Sequence, residues 1–185
     1  MATIRFGNRK ALLVVDMQIG VMRECLETTR IISNIAAAVQ KARSNGIPVI
    51  WVQHSDNELV LDSPAWQLVP ELTPAEGETR INKSYNSSFE DTPLEAELSH
   101  LGVSHILLAG ASTNWCIRAT AYGALDRGYD LTLIKDAHTT DTLVLENGIR
   151  IDAGTVIDDL NITMSWLSYP GRMNEAKDLH DIDFS

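Results

Sequence analysis

Apolar residues cluster along the chain in short blocks instead of alternating one by one. Residues 11–16, ALLVVD, form a continuous apolar run closed by a carboxylate, and 47–53 (IPVIWVQ), 104–109 (SHILLA) and 129–135 (YDLTLIK) repeat the pattern. Runs of this length suit strands covered on both faces. Between the first two, Ile31, Ile32, Ile35, Ala38, Val39 and Ala42 recur at helical spacing and Gly46 follows as a C-terminal stop, which predicts a helix over 27–45. A second helix is predicted over 92–101, with Thr92 as N-cap, Pro93 in the first turn, Glu95 at capping-box spacing and Gly102 after it. A third covers 113–127, closed by Gly128, and a fourth covers 151–168, closed by Pro170-Gly171. The apolar positions of that fourth helix, Ile157, Leu160, Ile162, Met164, Trp166 and Leu167, suit either a core or a subunit interface. The tail LHDIDFS is expected to add a short strand. Residues 54–80 show no period and hold Pro64, Pro70, Pro74 and Gly77, as expected of a long functional loop.

Strand, helix and strand in alternation predict an α/β domain with a mostly parallel sheet between helices. No linker or repeat interrupts the 185 residues, so the expectation is a single domain over 1–185. Ligands of such sheets bind outside the carboxyl ends of the strands. That rule selects Asp16 after the first strand, His54 after the second, and Ala111, Ser112 and Thr113 after the third.

Composition narrows the function without choosing it. Hydrophobic residues make up 44% and charged residues 22%, and the net charge is −10 with no basic run. A phosphate-binding surface needs clustered Lys and Arg, so nucleic acid is not an expected partner. No run approaches the ~20 apolar residues that cross a bilayer, and MATIRFGNRK lacks a signal core. Two cysteines, Cys25 and Cys116, do not make a disulfide framework. A reducing cytoplasm is the expected location.

Cys116 carries the candidate chemistry. It lies about one turn into the helix after the third strand, where N–H groups and the helix dipole favour thiolate and are expected to lower its pKa. Position alone leaves nucleophile and core filler equally open. Cys25, with no helix N-terminus aimed at it, reads as packing. Asp16 follows five apolar residues, and a carboxylate there needs either a partner or a role such as general base. Lys83 sits in the polar stretch RINKSYNSSFED and reads in isolation as a surface charge. Metal binding is not expected. The other histidines are His100, His105, His138 and His180; His54, Ser55 and Asp56 have no nearby second histidine, His100 and His105 flank a helix-to-strand turn and are not at ligand spacing, and HExxH and CxxC are absent. AGAST lacks the spaced glycines of a dinucleotide site, and no cofactor is expected.

Three blocks in order, LLVVDMQ (12–18), NKSYNSSF (82–89) and GASTNWCIRATAYGALDRG (110–128), with KDAHTT at 135–140, resemble the isochorismatase-like cysteine hydrolases. The resemblance runs through nearly the whole chain. It implies a three-layer, Rossmann-like α/β/α fold and an Asp-Lys-Cys triad of Asp16, Lys83 and Cys116. It also implies a non-proline cis peptide at Ala111-Ser112, and an oxyanion hole from the backbone N–H groups of Ser112 and Cys116. Nicotinamidase-like members bind metal through Asp-x-His; this chain has His-Ser-Asp, so no metal is carried over. Isochorismate-cleaving members typically lack the cysteine, so Cys116 favours C–N hydrolysis over ether cleavage or a non-catalytic role. QHSDNELVLDSPAWQLVPEL (53–72) looks most like the small metal-free group that includes streptothricin hydrolase. The implied activity is hydrolysis of a small amide, lactam or ureide through a thioester, in a homo-oligomer. Gln18, Trp66, Tyr85, Thr113 and Trp115 are candidate substrate contacts by neighbourhood, with a core or interface role equally open for the two tryptophans.

Overall fold

The computed structural model describes residues 5–185. Its strands, in chain order, are β1 (Arg9–Val15), β2 (Val49–His54), β3 (Thr79–Lys83), β4 (Val103–Ala111), β5 (Asp130–Thr139), β6 (Leu143–Val144), β7 (Arg150–Ile151) and β8 (Asn174–Lys177). Six form one sheet in the order β3-β2-β1-β4-β5-β8, and every neighbouring pair is parallel. The remaining two, β6 and β7, make a small antiparallel hairpin. The helices are α1 (Ile19–Met22), α2 (Thr28–Ser44), α3 (Leu94–His100), α4 (Arg118–Asp126) and α5 (Ala153–Trp166).

The central strand explains the layers. Residues 11–15 of β1 are wholly buried, and their side chains alternate between two cores. Leu12 and Val14 pack with Ile31, Ile35, Ala38 and Ala42 of α2, and with Leu179 and Phe184 of the tail. Ala11, Leu13 and Val15 pack with Leu94 and Leu98 of α3, Ala121 and Leu125 of α4, and Leu160 and Met164 of α5. A strand covered on both faces has no polar face, hence the unbroken apolar run. Each fully buried Leu or Val there contributes about 1.5–3 kcal/mol.

The chain runs outward from β1 through β2 to β3 and returns to β4 on the other side of β1. The sheet order therefore reverses between β1 and β4, which opens a crevice at their carboxyl ends. The two strands meet closely there. Gly110 has φ +129°, and a Cβ on it would lie 2.0 Å from the Val15 carbonyl oxygen, so only glycine fits.

Two local expectations fail and a third is refined. The capping box at Thr92 does not form: α3 starts at Leu94, Thr92 Oγ1 accepts from Leu94 N at 3.3 Å and donates to the Ser88 carbonyl, and Glu95 accepts instead from Arg5 and Arg127. The tail LHDIDFS adds a short 3-10 turn, Leu179–Asp181, and the extra strand is β8, just before it. The helix predicted over 113–127 opens with a π-helical turn, Thr113–Ile117, before α4 begins. On α5, capped by Asp152 on Thr155 N–H, Leu160 and Met164 are core while Ile162 and Trp166 face outward. Among the described residues no helix is long and apolar enough to cross a membrane.

Gly110→Ala should destabilise the fold by about 2–4 kcal/mol, because the added methyl meets β1 backbone that cannot yield. Urea unfolding should show a lowered midpoint with an unchanged slope.

Candidate active site

Three strand ends and one helix start deliver the site. Asp16 is the first residue past β1, with φ +52°, a left-handed conformation that Asp tolerates better than most side chains. His54 ends β2 and Lys83 ends β3, paired in register. Cys116 sits in the π-helical turn that follows β4. The Lys83 side chain has no exposed surface. Its ammonium donates to Asp16 Oδ2 at 2.7 Å, to Cys116 Sγ at 3.2 Å and to His54 Nδ1 at 3.3 Å. The stretch after Lys83 is tied to α4 through Ser88, whose N–H and hydroxyl both bond Thr120 Oγ1, at 3.0 and 2.8 Å.

Burial dominates the electrostatics. It raises the Asp16 pKa above the usual carboxylate range, against the opposing pull of Lys83 and the thiol. The Cys116 thiol is pushed up to about 12, first by burial and then by the Asp16 carboxylate beside it, with Lys83 pulling the other way. This corrects the expectation of a lowered value: an adjacent anion and loss of solvent outweigh the helix start. Cys25 is likewise pushed up to about 12 by burial and by Asp141.

The turn before Cys116 joins the end of β4 to the π-helical turn. The Ala111-Ser112 peptide bond is cis. The Ser112 carbonyl accepts from Trp115 N and Ile117 N as the π-helical turn opens. A cavity of about 750 Å³ opens alongside, walled by Ser112 and Trp115 of that turn, by His54, Asp56, Glu58, Leu59 and Ala65 from β2 and its loop, and by Gly20, Val21, Arg23 and Asp141.

The family model described as "Isochorismatase domain" matches residues 10–146. The chain belongs to the isochorismatase family. The matched stretch of this isochorismatase-family chain runs from β1 to just past β6. Streptothricin hydrolase from Streptomyces noursei is 30% identical over 146 residues, covering 76% of this chain and 58% of that enzyme; a second such sequence is 31% identical, with 71% and 50% covered. The chain thus spans little more than half the length of these relatives. Ureidoacrylate amidohydrolase from Klebsiella pneumoniae is 29% identical, with 70% of this chain and 73% of that enzyme covered. Among solved structures, an isochorismatase from Pseudomonas putida superposes with TM-score 0.82 at 25% identity, covering 95% of this chain and 90% of that one.

Not every expected site residue of this family member reaches the cavity. Trp115 does, and is half exposed there. Gln18 does not: it is fully buried, and its amide brackets the backbone of His54, accepting from its N–H at 2.8 Å and donating to its carbonyl at 3.0 Å, and also reaching the Trp66 carbonyl at 2.9 Å. Trp66 is buried, its carbonyl held by Gln18 and Gln53, and its neighbour Ala65 lines the wall instead. Thr113 is buried too, its hydroxyl bonded to His138 Nδ1 at 2.9 Å. Tyr85 is half exposed but lies outside the cavity wall. Arg23, Glu58 and Asp141 line the cavity without any sequence signal to mark them. Asp56 was legible only as half of a metal-like pattern. Its carboxylate instead takes the N–H groups of Glu58 and Leu59 and the His54 ring.

Removing one partner of a buried ion pair strands the other. Lys83→Met or Asp16→Asn alone should cost about 3–5 kcal/mol, and the double substitution less than either. A double-mutant cycle in urea checks this.

Proposed function

We propose that this protein is a cysteine-dependent hydrolase that cleaves the C–N bond of a small amide, lactam or ureide through a thioester. The observation that carries the reading is one buried ammonium joining Asp16 Oδ2 and Cys116 Sγ, beside a cavity of about 750 Å³. The relative named ureidoacrylate amidohydrolase supports the choice of C–N chemistry. The substrate and the assembly, which is taken to be a homo-oligomer, are part of the proposal, as is a single catalytic domain over 1–185.

The resting thiol keeps its proton, so a thiolate forms only as the proton leaves for a nearby base. Asp16 is that base. Its raised pKa makes it a better acceptor than an exposed carboxylate, and Lys83 stabilises the developing thiolate by charge. Sulfur attacks the carbonyl carbon, and the new oxyanion is received by the N–H groups of Ser112 and Cys116. Asp16 then gives its proton to the leaving nitrogen as the C–N bond breaks. Water, deprotonated by the same carboxylate, attacks the thioester and returns the thiol. Trp115 walls the pocket beside the reacting carbonyl.

Exposure to a panel of amides, lactams and ureides, followed by intact-protein mass spectrometry, should reveal an acyl adduct on Cys116. Cys116→Ala should lose both adduct and turnover, the latter by about 10⁴-fold or more. Full turnover in that variant overturns the reading. A second outcome concerns pH. Protonated Asp16 cannot accept the thiol proton, so alkylation of Cys116 by iodoacetamide should fall as pH drops through the Asp16 pKa. Because that pKa is raised, the acid midpoint should lie above 3.8, the ordinary Asp value, and Asp16→Asn should abolish this limb.

A further inference from the structure

An ammonium has three protons and no lone pair, so a buried lysine needs three acceptors. Two of the three at Lys83 are the groups already given roles. The third is His54 Nδ1. With the Lys83 side chain sealed from solvent, loss of that acceptor would leave a charged N–H bare in the interior.

His54 is held at its backbone and at both ring nitrogens. Gln18 grips its backbone N–H and carbonyl. At the far end of the ring, Nε2 lies 3.2 Å from Asp56 Oδ2, and Asp56 is itself anchored by two loop N–H groups at 2.8 and 2.6 Å. The partners dictate the tautomer. A carboxylate at Nε2 requires a donor there, and an ammonium at Nδ1 requires a bare nitrogen there.

We infer that His54 is a positioning residue for Lys83, holding its ammonium at the point where the other two N–H groups reach both Asp16 and Cys116. The inference rests on the proposed thiol chemistry for its purpose. The path runs from the Glu58 and Leu59 N–H groups through Asp56 and His54 to Lys83, and so connects the cavity loop to the thiol. His54 also lines the cavity, so a substrate seated there touches the group that steadies the lysine.

The test needs no substrate. In the unmodified protein, ¹⁵N NMR of the histidine rings should show His54 protonated on Nε2 and bare on Nδ1; the opposite tautomer overturns the inference. His54→Leu fills the same space without an acceptor and should slow iodoacetamide alkylation of Cys116 by about tenfold or more. His54→Asn places an amide oxygen where Nδ1 lies and should restore the rate to within about threefold of the parent, following the acceptor and not the ring. Parental rates in His54→Leu, or equal loss in the Leu and Asn variants, overturn it. If His54→Leu fails to fold, the tautomer and the Asn variant still decide. Retained turnover in Cys116→Ala would remove the thioester reading, while the labelling rates would still report whether His54 governs the thiol.

Discussion

The Lys83–Asp16 ion pair constrains everything around it. Taking an ammonium fully out of water costs several kcal/mol, even after relaxation, unless charge and hydrogen bonds replace the solvent. The sheet order makes this demanding. Lys83 ends β3, Asp16 follows β1, and β2 lies between them. Adjacent strands are roughly 4.8 Å apart, so the two Cα positions stand about 10 Å from each other across the sheet edge. A long, unbranched side chain spans that gap, passing over the end of β2, where His54 sits. Arginine has the length, but it brings five donors in a rigid fork to a place with three acceptors.

The same pair sets the state of the sulfur. A thiolate would be a second anion beside Asp16 in a site that burial already makes unfavourable for charge. The thiol therefore stays protonated at rest, and on the proposed mechanism its nucleophilicity appears together with the proton transfer. Oxidants and electrophiles act on thiolates far more readily than on thiols. A cysteine kept neutral until the carboxylate takes its proton is shielded from both.

Much of this was legible in the sequence, for physical reasons that differ from residue to residue. Strands covered on both faces must be apolar throughout, so β1, β2, β4 and β5 stand out. The edge strand β3, TRINK, is polar because one of its sides meets solvent, and it reads as loop although it carries Lys83. Asp16, Lys83 and Cys116 could be named because three blocks in order resemble one family, whose model matches residues 10–146. Gln18 and Thr113 read as substrate contacts only because they lie near that set in the chain. Adjacency says nothing of direction: both side chains turn inward, to the backbone of His54 and to His138. The pKa of Cys116 departs from what its place at a helix start implies for a related reason. A helix start can be read from sequence, but the burial that overrides it depends on packing from distant segments.

Gln18 and Gln53 hold the loop after β2 by its main chain, through the Trp66 carbonyl, and Gln18 does so while gripping the backbone of His54. Amide-to-backbone bonds of this kind do not depend on the side chains the loop displays. Residues at Asp56, Glu58, Leu59 and Ala65 form much of the cavity wall, yet of their side chains only that of Asp56 is tied into the lysine's support. The fold thereby separates two jobs along one segment: its attachment point is held by scaffold glutamines, while Glu58, Leu59 and Ala65 line the cavity. On the proposed function, a few loop positions set the shape that the cavity offers a substrate, while the strand ends and their buried charges stay as they are.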